Sequence, residues 1–404
     1  MEFKGARARE LYMLGVPSMS AMGTTSYYCP TRIVMGSGVH KKIAGELSAA
    51  GVERVLLVVD PAVAEGQILA SVRESFDALG IVHDTFSDIE PDPSDITVAA
   101  ALDFNREHGG TAITAIGGGS AMDVAKAVGI VTTNGGRIHD YEGIMKYQTA
   151  PLPLLAMPTT AGTGSEVSGS CVISDTERSL KMSIRHASLN PARVAFLDPL
   201  AVTTVPEHVA MHSGVDAFVH AFESFISKRA NPVTDALNLR AIEQIHNNIL
   251  RFVKDRSDLD AGMAMLSGSA MAGMAFGLTG LGNVHCIARF VGAFFHVSHG
   301  LSNAVCLSEV ARFNRPACVE RYARLAKVLS PTAKGDSEAL SHICVDAITA
   351  LCRDLGVPEN LRAIGAKRDQ LEDIADLCAG AGYEQWNPRK TSRSDFLEIL
   401  ETIY

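Results

Sequence analysis

Residues 111–120, TAITAIGGGS, decide the fold of the first half of the chain. A short apolar run ends in three consecutive glycines and a helical pattern starts at Ala121, which predicts a strand, a tight turn and a helix. Glycines at such a turn let backbone N–H groups approach a pyrophosphate, and the helix N-terminus adds a favourable partial charge. A plain strand-to-helix turn remains the alternative for a glycine triplet.

The same alternation of strands and helices extends over the first two hundred residues. Helical patterns separate the apolar runs RVLLVVD, IVHDTFS and LPLLAMPTT, which predicts an α/β domain with a parallel sheet covered on both faces. Beyond Pro199 and Pro206 strand signals nearly vanish and helix follows helix. We therefore predict an α/β domain over residues 1–205, beginning with an extension over residues 1–25, and an all-helical domain over residues 206–404.

Two polar loops follow strands of the predicted sheet. The first carries Gly118, Gly119 and Ser120, and the second, PTTAGTGSE, carries hydroxyl groups at Thr159 and Thr160. The carboxyl ends of parallel strands form the usual ligand-binding edge of an open α/β sheet. We expect a nucleotide to bind along this edge.

Two aspartates are further candidates for nucleotide contact. Asp60 ends the strand VLLVVD, from where a carboxylate can accept both ribose hydroxyls and repel a 2′-phosphate, which favours NAD over NADP. A role as N-cap or turn residue before Pro61 is the alternative. Asp123 lies one turn into the helix after the glycines, and an i,i+3 ion pair with Lys126 is its alternative.

The bulk properties exclude some partners. A formal net charge of −9 argues against nucleic acid and against an anionic membrane surface, so a small molecule is the expected partner. Eight cysteines without a CxxC pair are typical of reduced thiols, and the N-terminus lacks an apolar signal region, so we expect a cytoplasmic protein. Residues 261–288 contain no charged side chain but are rich in small residues, which favours a buried helix pair over a membrane span.

Four residues in the second half have the pattern of a metal site. In GVDAFVHAF the i,i+4 spacing puts Asp216 and His220 on one helix face. His285 and His299 can share that ion only if the helix between them breaks, since fourteen residues would part them by about 21 Å. Gly292 and the poor helix formers before Gly300 offer such a break. One carboxylate and three imidazoles suit Fe(II) or Zn(II), and an internal hydrogen bond is the alternative for the first pair.

Together these motifs resemble the iron-dependent (group III) alcohol dehydrogenases, from about Tyr28 to the C-terminus. The resemblance rests on GGGSAMDVAK, PTTAGTGSEVS, GVDAFVHAFE and the histidine pair separated by thirteen residues. It implies a dehydroquinate synthase-like fold, a metal in the cleft between the two domains, and NAD(H) as cofactor. By matching positions the implied metal ligands are Asp216, His220, His285 and His299. The implied nucleotide contacts are Asp60, Gly118, Gly119, Ser120, Thr159, Thr160 and Lys181.

The chain departs from that family near the expected substrate. Arg289 stands where the family usually has a second histidine, Ser170 replaces an asparagine, and Tyr383, near Trp386, replaces smaller residues. The guanidinium fork of Arg289 suits a carboxylate, sulfonate or phosphonate. An ion pair between Arg289 and a structural carboxylate is equally compatible with the sequence. Asp92 falls where the family often has asparagine.

The resemblance predicts a metal-dependent, NAD(H)-dependent reductase of a small aldehyde, possible substrates including anionic ones, as in the reduction of sulfoacetaldehyde to isethionate. Neutral short-chain alcohols or diols are the alternative substrates. An NAD-using lyase similar to dehydroquinate synthase is the rival in a different class, and a non-catalytic metal- or nucleotide-binding protein is the third reading. We also expect a homodimer or a higher homo-oligomer.

Overall fold

A computed structural model describes residues 25–178 and 180–404 of the chain. Two compact units are present, one comprising Tyr28–Ala210 with Arg251–Gly277, and the other containing Met211–Leu250 and Leu278–Tyr404. All but the last residue of the expected N-terminal extension over residues 1–25 lies outside the described residues. The domain boundary expected near residue 205 stays a prediction.

The first unit is built on a six-stranded parallel sheet of order β1-β9-β6-β4-β2-β3 and a three-stranded sheet of order β5-β8-β7. The strands are β1 Arg32–Met35, β2 Arg54–Val59, β3 Val82–Phe86, β4 Ala112–Gly117, β5 Gly143–Ile144, β6 Leu154–Pro158, β7 Ser170–Asp175, β8 Leu180–Arg185 and β9 Val194–Leu197. The helices between them are α1 Ile43–Ala49, α2 Gln67–Ala78, α3 Asp95–His108 and α4 Gly119–Asn134. The predicted parallel α/β fold is confirmed.

The central strands are buried on both faces. Strand β2 sends Leu56 and Val58 into one hydrophobic core, and Val55, Leu57 and Val59 into the other. Each fully buried aliphatic side chain contributes roughly 1.5–3 kcal/mol relative to exposure. This double burial explains why the run reads as continuously apolar rather than alternating. Because β2, β4 and β6 pair in parallel, their carboxyl ends lie along one edge of the sheet.

The rest of the chain is helical, as predicted, and residues 198–404, all of which are described, contain no strand. The helices are α5 Glu207–Ile226, α6 Pro232–Lys254, α7 Leu259–Thr279, α8 Asn283–Phe295, α9 His299–Asn314, α10 Val319–Leu329, α11 Ser337–Asp354, α12 Leu371–Gly380 and α13 Arg393–Thr402. Helix α7 is long and apolar enough to cross a membrane, but 61% of its most apolar window is buried inside the protein. That burial favours a core helix over a membrane span.

The break predicted between His285 and His299 is present, and it lies not at Gly292 but beside the poor helix formers before Gly300, the other position that the sequence offered. Helix α8 continues through Gly292 and ends at Phe295, and His296 adopts the left-handed conformation with φ 53°. Ser298 then caps α9, its hydroxyl accepting a hydrogen bond from the backbone N–H of Leu301 at 3.4 Å. Gly292 serves packing instead, since a Cβ there would lie 3.2 Å from the hydroxyl oxygen of Ser302.

Candidate metal centre and nucleotide-binding loops

Helix α5 supplies two polar side chains to the interior of the helical unit. Asp216 and His220 are both buried although they lie among Phe218, Val219 and Phe222. The Asp216 Oδ1 and the His220 Nε2 are 3.8 Å apart, which is longer than a hydrogen bond. The hydrogen bond between these two side chains, which was the alternative to a ligand pair, is therefore not formed.

Two more imidazoles approach the same carboxylate oxygen from the next two helices. The Nε2 atom of His285 on α8 lies 3.5 Å from the Asp216 Oδ1, and that of His299 at the start of α9 lies 3.8 Å from it. Ligands held at 2.0–2.1 Å around a tetrahedral ion would be about 3.4 Å apart. Ligand atoms of Asp216, His220 and His285 all lie within 4.8 Å of one another. His299 is the most open of the four, with 43% of its side chain exposed.

The charges of these groups are shifted by their mutual contacts. Burial opposes ionisation of Asp216, but the charges of His220, His285 and His299 and a hydrogen bond from His285 hold its pKa well below the ordinary value. Burial also opposes protonation of His285, but hydrogen bonds to Asp216 and Glu223 raise its pKa to about 9. The site therefore holds the ionised carboxylate of Asp216 and favours a bound positive charge. A divalent ion bound by the neutral imidazoles would replace those protons, so the donor set fits Fe(II) or Zn(II).

Two residues that the sequence reasoning did not assign support the four candidate ligands. Glu223 on α5 accepts a hydrogen bond from the Nδ1 atom of His285 at 2.7 Å. The side-chain amide nitrogen of Asn303 lies 2.7 Å from the Asp216 Oδ1 and 3.2 Å from the His299 Nε2. Their spacing offered a signal, since Glu223 lies three residues after His220 and Asn303 four residues after His299, each on the same helix face.

Arg289 follows His285 by one turn of α8 and is exposed. Its guanidinium carbon lies 5.7 Å from the ring centroid of Phe290. A cation at i+4 on the same helix extends from the face that carries the candidate ligand His285. The position is compatible with contact to the distal group of a small substrate.

In the α/β unit, the structure brings together the strand-end residues that the sequence singled out. A Cβ added to Gly118 would lie 3.4 Å from the Thr160 hydroxyl and 3.9 Å from the Asp60 Oδ2, so the ends of β2, β4 and β6 converge here. Gly117 lets this happen, because a Cβ at that position would meet the Asp60 Cβ at 2.7 Å. Thr159 is buried, and its backbone N–H donates to the Gly117 carbonyl.

The second polar loop is packed tightly against α7. Gly164 has φ +58°, and a Cβ there would lie 2.7 Å from the Gly273 Cα. Only glycine combines that left-handed backbone with so close an approach. The small residues of α7 therefore give the loop its shape.

Three of the polar candidates make contacts within the protein. The Asp60 carboxylate accepts a hydrogen bond from the Ala62 backbone N–H at 3.0 Å. This is the N-cap contact that the sequence left open as the alternative role of Asp60. Asp123 accepts from the Ser165 hydroxyl and from the Val172 backbone N–H, both at 2.9 Å. Lys181 forms an ion pair of 2.6 Å with Asp92. Each of these side chains has a structural role in addition to any contact with a nucleotide.

Comparison with known families agrees with this geometry over both units. Residues 30–199 match the family described as iron-containing alcohol dehydrogenase, and residues 210–404 match the C-terminal part of the Fe-containing alcohol dehydrogenase family. The chain belongs to the iron-containing alcohol dehydrogenases. The resemblance inferred from its motifs is confirmed, and so is the expectation that the protein is an oxidoreductase acting on alcohols or aldehydes.

Individual members of the family align with this dehydrogenase over nearly its whole length. The NAD-dependent methanol dehydrogenase of Bacillus methanolicus is 33% identical over 93% of this chain and 99% of its own. The choline dehydrogenase of Bacillus subtilis is 34% identical over 96% of this chain and 97% of its own. Full-length coverage on both sides means that the same two parts occur in these relatives.

Solved structures of the family have the same fold as this dehydrogenase. A 1,3-propanediol oxidoreductase superposes with a TM-score of 0.92 at 32% identity, over 95% of this chain and all of that one. The sulfoacetaldehyde reductase of Bifidobacterium kashiwanohense, solved in complex with NAD+, superposes with a TM-score of 0.84 at 26% identity, over 94% and 99% of the two chains. The names of these relatives and neighbours span neutral, cationic and anionic small substrates.

Proposed function

We propose that this dehydrogenase reduces a small aldehyde with NADH at a metal held by Asp216, His220, His285 and His299, and that the aldehyde is anionic. The observation that carries the proposal is the convergence of three imidazole nitrogens from three helices on one buried carboxylate oxygen, at 3.5–3.8 Å. The family name supports Fe(II), and the donor set equally suits Zn(II).

When bound, the metal would supply Lewis-acid polarisation of the aldehyde oxygen and NADH the hydride. The four side chains of the cluster hold the ion, and Asp216 provides the one negative charge that offsets it. His299, the most exposed of the four, lies on the side open to a substrate. Arg289 replaces the family's second histidine, so the proton that neutralises the alkoxide would come from water or from a cofactor ribose hydroxyl.

We propose that NAD(H) is preferred over NADP(H) because of Asp60. Its carboxylate lies at the converging ends of β2 and β4, next to Gly118 and Thr160. A 2′-phosphate on the adenosine ribose would meet this negative charge, whereas a free hydroxyl could donate to it. Gly118, Gly119, Ser120, Asp123, Thr159, Thr160 and Lys181 are the other proposed contacts.

The charge of the substrate is the most specific part of the proposal. Arg289 would bind a sulfonate, phosphonate or carboxylate with charge-assisted hydrogen bonds and would repel a quaternary ammonium. The sulfoacetaldehyde reductase among the structural neighbours supports the anionic choice. The relatives named for methanol and choline make neutral and cationic substrates the alternatives to be tested.

A panel of three aldehydes that differ in charge tests these alternatives. Sulfoacetaldehyde, propanal and betaine aldehyde are compared by NADH oxidation, first with Fe(II) in the absence of oxygen and then with Zn(II). We expect the highest kcat/KM with sulfoacetaldehyde and the lowest with betaine aldehyde. A preference for propanal or betaine aldehyde would contradict the anionic substrate. Product formation without net NADH loss would favour the rival lyase, which regenerates NAD within its cycle.

The cellular setting of the enzyme is also part of the proposal. The net charge of −9 supports the expectation that neither nucleic acid nor a membrane is a partner. We further propose a cytoplasmic location and a homodimer or higher homo-oligomer. Sedimentation of the purified enzyme measures the second point, and a monomer at micromolar concentration would contradict it.

A further inference from the structure

The carboxylate of Glu223 contacts one candidate metal ligand in two ways. It is almost fully buried, with 1% of its surface exposed. Its Oε2 accepts a hydrogen bond from the His285 ring Nδ1 at 2.7 Å and from the His285 backbone N–H at 3.3 Å. Its Oε1 accepts from the backbone N–H of Val284 at 2.6 Å. One side chain on α5 therefore binds both the ring of His285 and the first turn of α8.

The ring contact determines which nitrogen of His285 carries the proton. An ionised carboxylate only accepts hydrogen bonds, so the Nδ1 atom facing Glu223 must be the donor. In the neutral imidazole the Nε2 atom is then left with its lone pair. That lone pair is on the side facing Asp216, 3.5 Å from its Oδ1. Glu223 thus selects the only neutral tautomer of His285 that can bind a metal through Nε2.

The backbone contacts fix the position of the same ring. The first N–H groups of a helix have no partner within the helix, and Val284 and His285 lie in the first turn of α8. Glu223 provides acceptors for both of them. The chain allows this close approach because residue 282 is glycine, where a Cβ would lie 3.0 Å from the Glu223 Oε1. Backbone and ring are held by one carboxylate, which leaves His285 little freedom to turn away.

We propose that Glu223 is a positioning residue for the metal centre, which sets the tautomer and the orientation of His285. This inference rests on the proposed function, in which His285 is a metal ligand. The charge of Glu223 is the property that matters, because a neutral amide has only one acceptor atom. In Glu223→Gln the NH2 group must face either the Val284 N–H or the Nδ1 of His285. The second orientation favours the tautomer with hydrogen on Nε2, which cannot bind a metal there.

The test is the affinity of the full-length enzyme for Zn(II), measured by competition with a chromophoric chelator after removal of bound metal. We expect Glu223→Gln to raise the Kd for Zn(II) by roughly 10- to 100-fold, which is the usual effect of losing such a partner of a metal-binding histidine. Glu223→Asp keeps the charge and should recover part of that loss. Melting temperatures of the metal-free proteins are measured in parallel, because a purely structural role would lower them and leave the Kd of the folded protein unchanged.

Asp336→Asn is the matched control for the loss of a capping carboxylate. Asp336 caps α11 and accepts a hydrogen bond from the Ala339 backbone N–H at 2.9 Å. Its replacement should lower the melting temperature and leave the Kd for Zn(II) within twofold. If Glu223→Gln does not fold, the smaller neutral variant Glu223→Ala takes its place, and a Kd within twofold of that of the unmodified enzyme contradicts the proposal.

His285→Ala separates failure of this inference from failure of the proposed function. If His285→Ala loses Zn(II) and Glu223→Gln keeps the Kd within twofold of the unmodified enzyme, the role given to Glu223 is wrong while the ligand set stands. If His285→Ala itself binds Zn(II) normally, the ligand assignment is wrong, and the role of Glu223 is rejected with it.

Discussion

The metal cluster and the nucleotide loops are built in opposite ways. In the cluster, the imidazoles of His220, His285 and His299 surround one carboxylate oxygen of Asp216, each with a ring nitrogen 3.5–3.8 Å from it. In the loops, the polar side chains are satisfied inside the protein, as with Asp123 and its bonds to Ser165 and Val172. An ion at the centre of the cluster would contact all four side chains at once, whereas a nucleotide would add to loop side chains that each already have a separate protein partner. Removal of the metal should therefore lower the free energy of unfolding more than removal of the cofactor does.

The largest effect is expected from removing a candidate ligand. His285→Ala or His299→Ala leaves three ligands at most, so the purified enzyme should lose nearly all of its metal and its turnover. Elemental analysis measures the metal and NADH oxidation the turnover. His342→Ala is the control, since His342 is an exposed histidine paired with Glu338 on α11. Metal content near that of the unmodified enzyme in both ligand variants would reject the assignment.

The next effect concerns the substrate rather than the ion. A charge-assisted hydrogen bond contributes about 1.5–3 kcal/mol, so Arg289→Ala should lower kcat/KM for sulfoacetaldehyde by roughly 10- to 150-fold. The kcat/KM for propanal should fall much less. Arg312→Ala removes an exposed arginine on the neighbouring helix α9, paired with Glu309, and should change neither value. Equal losses for the two aldehydes would mean that Arg289 is structural.

A smaller change is expected in the α/β unit, where Asp60 has both a cap contact and a proposed role in cofactor choice. Asp60→Gly should reduce the preference for NADH over NADPH by roughly tenfold, or about 1.4 kcal/mol. Asp60→Asn separates the two roles, because the amide oxygen can still accept from Ala62 while the charge is gone. If kcat/KM shows a narrowed preference only in the glycine variant, the cap and not the charge explains it. A higher kcat/KM with NADPH for the unmodified enzyme would also reject the role of Asp60.

The last effect is on stability rather than on activity, and it comes from the interior of the second loop. Burial raises the pKa of Glu166 to about 7 from an ordinary value near 4.5. The folded protein therefore binds this proton more tightly than the unfolded chain does. The resulting contribution of Glu166 to the free energy of unfolding is fully present below about pH 4.5 and is lost as the pH rises through 7. Glu166→Gln should remove a decrease of roughly 2–3 kcal/mol in unfolding free energy between pH 5 and pH 8.

Urea unfolding at the two pH values measures this difference for Glu166. Glu177→Gln, which neutralises a mostly exposed carboxylate, is the control and should keep the pH dependence of the unmodified enzyme. An unchanged pH dependence in Glu166→Gln would show that this carboxyl group titrates normally in the folded protein.

The sequence predicted those features that depend on local spacing. The alternation of β2, α2, β3 and α3 follows from periodicity, and Asp216 with His220 follows from the i,i+4 geometry of one helix. The family was also recognised from such short motifs. Spacing and ligand chemistry together identified candidate residues that the structure brings close to one another.

Features that depend on distant contacts were missed. Glu223 contacts His285 across 62 residues of sequence, and the ion pair of Lys181 with Asp92 joins separate segments. No periodic pattern records such pairs. Of the two positions that the sequence offered for the helix break, Gly292 is wrong, whereas the poor helix formers before Gly300 do adjoin the break. The sequence did not predict that His296 would take the left-handed conformation there, since glycine is the usual residue at such a cap.

The segment between α8 and α9, residues 296–298, determines how α9 is rotated about its own axis. Because α9 begins at His299, directly after the Ser298 cap, deleting one residue from 296–298 would rotate the first turn by about 100° around its axis. His299 and Asn303 would turn together, since they lie one turn apart on the same face. Engineering of the proposed metal site would therefore keep the first turn of α9 unchanged. It would vary the length of the segment 296–298 first and the side chains of α9 only afterwards.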